Sequence, residues 1–535
     1  MTNFKVSCHQ LLLAVLTLAF FTASANAQTY TDLHDFDETE GCCAIYPSML
    51  AQGQDGNIYG ATTSGGAHLY GNIFKMTPSG ALTSIYSFDL THGGYPQGGI
   101  SMAADGNFYG TTYQGGANHF GTIFKITPSG AFTELYDFTN TTDGAYPHTP
   151  PVQAQDGNLY GTTANGTIAV LYKITTAGVF TVMETLVSQS YSPLLLGADG
   201  NLYGTTVYGG TYNGGTVFVF SPAAKAMKTI YNFHTEFSPY GPLMQGADGA
   251  LYGTTSSGGT GSGGVVFRVT TAGAYKVLFN FTVSSANGAT SYSGLVQGSD
   301  KFLYGVTSAG GTSGQGVLFK ISPTGTGFAV LHDFATATGD TAFATPFLHT
   351  NGTIYGLTSH GGAHSAYGVV YSMNVGLKEF VAPVVLHSAK SGASVELLGQ
   401  GFNTATGVLF GTGPGALTVS SDTFATAKIT TGATTGAITV KEPGGNLSTL
   451  QAFKIVPTIK NFTPTSGTAG TSVVITGTSL LQTLAVKFGG VAATAFTVNS
   501  DTQVTATVPT GAVTGRITIT TNGGTATSSA VFTVN

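Results

Sequence analysis

The sequence predicts an all-β chain: a seven-bladed β-propeller followed by two small β-sandwiches. Three observations carry that expectation. A D-G-N-like turn followed by Tyr-Gly recurs with its Tyr at Tyr59, Tyr109, Tyr160, Tyr203, Tyr252, Tyr304 and Tyr355, 43 to 52 residues apart. That period is the length of a four-stranded propeller blade. Glycine makes up 77 of 535 residues, as a chain of many tight turns requires. From Pro383 the repeat stops and a second begins, in which Gly399 and Gly411 match Gly477 and Gly489, 78 residues on.

The N-terminus reads as a secretory signal over residues 1–27. Lys5 is the positive end, Leu11 to Phe21 the apolar stretch, and Ala25-Asn26-Ala27 a small-x-small cleavage site before Gln28. The apolar run is short for a membrane span, and no other segment is long and apolar enough, so no span is expected after cleavage. A secreted or cell-surface location follows. Cleavage leaves the adjacent pair Cys42-Cys43. Adjacent cysteines cannot staple distant strands; a vicinal disulfide, a bond to a partner thiol and two unpaired thiols all stay open.

The second copy shows how a blade is written. Gly99 to Ala104 is a short apolar strand, and Asp105-Gly106 is a hairpin turn, since Asp and Gly tolerate positive φ. Asn107 to Thr112 is the second strand. Gly115 to Gly121 is a longer loop, Thr122 to Thr127 the third strand, Pro128-Ser129-Gly130 a turn, and Ala131 to Phe138 the fourth strand. The turn Asp recurs as Asp55, Asp105, Asp156, Asp199, Asp248 and Asp300, and the seventh copy has Asn351-Gly352. Asn keeps the turn chemistry and loses the carboxylate, so these residues read as turn formers. A calcium site would need several oxygens converging from one loop, and this spacing supplies one carboxylate per blade.

The fourth-strand element recurs near Phe36, Phe88, Phe138, Leu186, Phe233, Phe281 and Phe334. Its first copy, Leu33-His34-Asp35-Phe36, precedes the first blade, and no clear copy follows Gly368 to Met373. The N-terminal strand is therefore expected to complete the last blade and remove the open edge of the ring. The propeller spans residues 28–380, and the C-terminal units span 381–456 and 457–535.

Two resemblances follow from these motifs. Asp-Gly-Asn-x-Tyr-Gly-Thr-Thr and Gly-x-Ile-Phe-Lys-Ile, over roughly residues 29 to 375, resemble the Gloeobacter/Verrucomicrobia-type tandem repeat of secreted, choice-of-anchor bacterial proteins. That resemblance implies export and surface association, and no activity. Pro457-Thr458-Ile459, Pro464-Thr465-Ser466-Gly467, Val473 to Gly477 and Val486 to Gly490 resemble an IPT/TIG immunoglobulin-like domain. The unit before it keeps Gly401-Phe402 and Val408 to Gly411 but has Ser388 to Gly392 where Pro-x-Ser-Gly is expected, as a degenerate copy would. The resemblance implies spacer or docking modules, and the scarcity of patterned exposed aromatics favours spacers.

Composition limits the function classes. Charged residues make up 8%, against roughly 25% in an average soluble chain. Net charge is −6 with no run of Lys or Arg, so nucleic acid is not an expected partner. Trp is absent, which weakens a sugar-binding reading, although Tyr can supply the stacking face. No G-x-S-x-G elbow, H-E-x-x-H, P-loop or Cys-His pairing occurs, and no cofactor is called for.

Binding belongs on the rim of long loops, opposite the tight Asp-Gly turns. There Tyr46, Tyr95, Tyr146, Tyr191, Tyr240, Tyr292 and Phe343 each fall 12 to 14 residues before a Tyr-Gly step. They read either as a stacking platform for a glycan or peptide or as packing between blades. His68, His119, His360 and His364 break the repeat in the loops of blades one, two and seven, consecutive in a closed ring. They read either as metal ligands or as ordinary polar loop residues. The favoured function is an exported, non-catalytic binding or adhesion protein for a glycan or a surface protein, a monomer. The alternative is a secreted propeller glycosidase or lyase acting on polysaccharide.

Overall fold

The structure, a computed structural model, describes residues 28–43, 49–164 and 168–535. The signal segment, residues 1–27, lies outside the described residues. The chain is all-β with a β-propeller-like fold, interrupted by two 3-10 turns. The first sheet is built from β2 (Ala51–Gln52), β3 (Ile58–Thr62), β4 (Asn72–Met76) and β5 (Leu82–Ser87), paired antiparallel in chain order. Five further sheets repeat this order up to Ala329–Asp333; the one around Met244–Gln245 gains two short strands, Glu236–Phe237 and Ser257–Gly258. The last sheet joins Phe347–Leu348, Ile354–Leu357 and Val369–Asn374 to β1 (Thr29–Asp35). The β1 register runs from Thr29 against Asn374 to Asp35 against Val369. The N-terminal strand thus supplies the missing outer strand, and an otherwise bare ladder of N–H and C=O groups is paired.

The recurring tetrapeptide is a clamp. In each of six copies the turn Asp accepts the N–H two residues on at 3.1 Å. Its other oxygen accepts the hydroxyl of the Tyr four residues on, at 2.7 to 2.9 Å. One side chain therefore shapes the turn and ties down a ring buried between sheets. In the seventh copy Asn351 can only donate toward Tyr355, at 3.2 Å, so the Tyr355 hydroxyl donates instead to the Pro78 carbonyl of the first sheet.

The glycine after each Tyr has an ordinary φ, and its cause is close approach. A Cβ on Gly253 would lie 2.6 Å from the Phe267 ring of the next strand, and Phe124, Phe218 and Phe319 overhang Gly110, Gly204 and Gly305 in the same way. Seven apolar clusters each bridge neighbouring sheets, and one joins Tyr355 and Val370 of the last sheet to Leu50, Ile58 and Phe74 of the first. Glutamines add polar staples: Gln153, Gln245 and Gln297 accept N–H groups of Ala104, Ala198 and Ala247 in the preceding sheet at 2.9 Å.

Residues from 381 form two further β units. The first is a seven-stranded sheet around one core that includes Leu397, Phe410, Ile438 and Phe453. In the second, a four-stranded sheet faces a five-stranded one across Phe462, Ile475, Phe488 and Phe532. Residues of the first unit contact the Asp-Gly turns. Thr423 donates to the Gln54 carbonyl at 2.7 Å, Gln400 to Thr350 at 2.8 Å and Gln155 to Ser388 at 2.7 Å. Val385 packs against Leu194 and Leu196 of an innermost strand. Pro383 and Val384 help enclose a cavity of about 320 Å³ lined by Leu50, Met102, Val152 and Phe347. The turns offer free carbonyls and amides in a ring, and hydroxyl and amide side chains of the first unit pair with them. Cys42 and Cys43 form a vicinal disulfide.

The clamp and its exceptions are separable by mutation. Tyr109→Phe removes the bond to Asp105, and its loss will cost about 1–2 kcal/mol. Tyr172→Phe removes a buried hydroxyl that has no hydrogen-bond partner among the described residues, and stability will rise by about 1 kcal/mol. Chemical denaturation of both variants reads the two signs. A pH effect marks the closing strand. One oxygen of Asp32 is buried without a partner among the described residues, and burial, then Asp35, pushes its carboxyl up to about 6. A carboxyl raised on folding favours the folded state while protonated, and that contribution is lost as pH rises through about 6. Asp32→Asn will therefore raise the melting temperature at pH 7.5, and the gain will vanish below about pH 4; melting curves across that range check it.

Candidate ligand-binding rim

The long loops between second and third strands are held by the ends of the fourth strands. Asp35 accepts the Ala363 N–H at 2.5 Å, Asp137 that of Asn118 at 3.1 Å and Asp333 that of Thr312 at 2.7 Å. Asn232 and Asn280 do the same for Thr211 and Thr260. The Asp/Asn alternation means that the acceptor oxygen is what matters, and these carboxylates are engaged in loop structure. Asp143 is likewise taken up: it accepts from Thr139, Thr141 and Tyr136, and those bonds, outweighing its burial, hold its carboxyl below the usual range.

The structure separates the aromatic positions into two sets. Tyr191, Tyr240, Tyr292 and Phe343, each 12 residues before its Tyr-Gly step, stand in file. Ring centroids are 5.4, 5.1 and 5.2 Å apart along that file. All four are half-buried. Tyr95 and Tyr146, 14 residues before the step, occupy a different position. Both have a left-handed backbone, φ 58° and 53°. The left-handed residue of the later repeats is Ser238, Thr290 or Thr341, two residues before the ring in each case. Tyr95 packs edge-on to Tyr70 at 5.6 Å and Tyr146 to Phe120 at 5.7 Å, so these two pin adjoining loops. Tyr46 lies outside the described residues.

The residues that fill the file position in the second and third repeats are Gln97 and His148, which sequence reading passed over. His148 meets Tyr191 at 4.5 Å and Tyr113 at 4.9 Å. Burial pushes its imidazole down to about 3, so it sits in the file as a neutral ring. Gln97 is buried, with its amide oxygen unpartnered among the described residues. The signal was present: a constant offset of 12 selects Gln97, His148, Tyr191, Tyr240, Tyr292 and Phe343, whereas a tolerance of 12 to 14 mixes the two sets. Burial, followed by a hydrogen bond with Tyr208, raises the Tyr240 phenol above its ordinary value.

His68, His119, His360 and His364 are all exposed. Among the described residues no three His, Cys, Asp or Glu side chains gather where a metal could sit. The reason is local: His119 occupies a left-handed loop tip, φ 66°, and His360 turns to the Ser359 hydroxyl at 2.9 Å.

The model of the Gloeobacter/Verrucomicrobia repeat matches residues 19–193, 170–298 and 239–479. The IPT/TIG domain model matches residues 457–534. No curated protein matches the chain. Similar solved structures include the oligogalacturonate lyase of Vibrio parahaemolyticus, at 10% identity, 64% of this chain, 93% of that one and a TM-score of 0.44. TolB of Acinetobacter baumannii is another, at 12% identity, 48% of this chain, 61% of that one and a TM-score of 0.32. By the extent of the repeat match, the chain belongs to the Gloeobacter/Verrucomicrobia repeat family and carries an IPT/TIG domain at residues 457–534.

Proposed function

We propose that this chain is an exported, non-catalytic binding protein whose long-loop rim takes a glycan or a surface-protein ligand. The rim belongs to a closed seven-bladed propeller, residues 28–380. Two immunoglobulin-like sandwiches, 381–456 and 457–535, follow it. The first caps the Asp-Gly end, and the second extends the molecule away from it.

The observation that carries the reading is the file of half-exposed rings Tyr191, Tyr240, Tyr292 and Phe343, continued inward by the buried His148. Contiguous rings with polar edges supply stacking area at low entropic cost, since each has two side-chain torsions. They lie at the end of the inner strands away from the contacts with the first sandwich. A polysaccharide-cleaving site would need two carboxyl groups facing each other about 5 to 10 Å apart across the substrate. The turn and fourth-strand acids described above have structural partners, which favours binding over cleavage.

Two measurements test this. A glycan array and a pull-down of surface proteins will identify a ligand whose affinity falls at least about tenfold in Tyr191→Ala and Tyr292→Ala, while Tyr95→Ala changes it less than about twofold. Silence in both assays, or a ligand indifferent to the ring variants, would sink the reading. Export predicts a mature N-terminus at Gln28 in protein recovered from the cell surface or medium; a retained Met1 there would contradict it.

A further inference from the structure

The fourth repeat departs from the others on the long-loop face. Among the described Tyr and Phe residues before position 381, only Tyr208, Tyr212 and Phe237 are exposed, at 46%, 54% and 40%. They belong to one patch. Tyr208 and Tyr212 lie on the glycine-rich loop 208–215, whose Gly209 faces Val187, itself 61% exposed. Tyr212 meets the His234 ring at 4.4 Å. Gly214 on the same loop approaches the backbone of Phe233 and Glu236, beside Phe237. Tyr208 hydrogen-bonds Tyr240 of the ring file, so the patch is continuous with the rim.

These rings are departures from the repeat rather than products of it. Phe237 pairs with Ser257 where other repeats pair Gly94 with Gln114, Ala289 with Ala309 and Asp340 with His360. The Tyr208 position is Gln114, Ser257, Ala309 or His360 elsewhere, and the Tyr212 position is His68, Asn118, Gly261 or Ser313. Blade packing does not ask for an aromatic at any of these places, since the other blades pack without one. An exposed aromatic patch keeps apolar surface in water, and a ligand that covers it relieves that cost.

We infer that Tyr208, Tyr212 and Phe237 form a shelf that binds an uncharged polysaccharide chain, one sugar face per ring; this rests on the binding reading of the rim proposed above. The chemistry selects the ligand. The segments 187–189, 208–215 and 234–240 contain no Lys or Arg, and their one carboxylate, Glu236, is buried beneath the shelf. An acidic polysaccharide finds no Lys or Arg in these segments to pair with. Neutral pyranose rings offer a flat C–H face for stacking and equatorial hydroxyls for amides. Asn213 and Gln189 flank the rings; Gln189 already accepts the Tyr191 hydroxyl at 3.1 Å. The shelf extends outward from the ring file, a shape suited to a chain rather than a single sugar.

Affinity electrophoresis of the full chain tests this, with glucomannan, xylan and dextran as neutral probes and polygalacturonate and alginate as acidic ones. At least one neutral polymer will retard the protein and neither acidic one will. Retardation will weaken at least about tenfold in Tyr212→Ala and in Phe237→Ala, and melting temperatures will stay unchanged because both side chains are exposed. Retardation by acidic polymers only, by no neutral polymer, or equally in the shelf variants overturns the shelf. Loss of binding in Tyr292→Ala but not in the shelf variants overturns the shelf while leaving the rim reading intact. Capture of a surface protein that the shelf variants lose, with no polysaccharide retarded, assigns the patch to protein docking and overturns the glycan proposal.

Discussion

The bond from a turn carboxylate to the Tyr hydroxyl four residues later is the constraint on which the rest of the structure depends. It fixes where each inner strand starts, which way its Tyr points, and how the ring is buried between sheets. A charge-assisted bond of this kind is stronger than a neutral one. It is repeated in six of the seven sheets, so those strands enter in the same register. The glycine that follows lets an aromatic ring of the next strand approach the backbone closely. Turn, strand and inter-strand packing are thus set by six consecutive residues.

The two ends of the inner strands are unequal as a result. At one end the tight turns present a ring of backbone groups and short polar side chains, and residues such as Thr423, Gln400 and Ser388 pair with them. At the other end the chain has slack: the loops are long and held only at their roots by Asp35, Asp137, Asp333, Asn232 and Asn280. Neighbouring sheets still meet there, as Tyr95 does with Tyr70 and Tyr146 with Phe120, but through loops rather than strands, and surface loops are where binding residues tend to sit. Both the file of rings and the exposed aromatics of the fourth repeat lie on this end.

Regularity and departure from it carry different information. Positions that obey the repeat, such as the turn Asp and the Tyr-Gly step, answer to packing that every sheet shares. Tyr95 and Tyr146 look like members of a ring by approximate spacing, yet their left-handed backbones place them on neighbouring loops. Phe237, Tyr208 and Tyr212 answer to nothing the other sheets need, which is why they are informative about ligands.

The sequence by itself determined the all-β class, the period and position of the sheets, the pairing of the N-terminal strand with Val369–Asn374 and the structural role of the turn acids. These are local or periodic properties: a turn needs particular residues at adjacent positions, and a strand repeats every second residue. The tertiary structure decided what depends on distance between remote segments. It put the first C-terminal unit against the Asp-Gly turns through bonds between remote residues, Gln155 with Ser388 and Thr423 with Gln54 more than 200 positions apart. It replaced Tyr95 and Tyr146 by Gln97 and His148 in the file, because a two-residue shift in a loop changes which side chain faces its neighbour. It left His68, His119, His360 and His364 exposed, His119 at a left-handed loop tip, because loop-tip conformation decides where a side chain points.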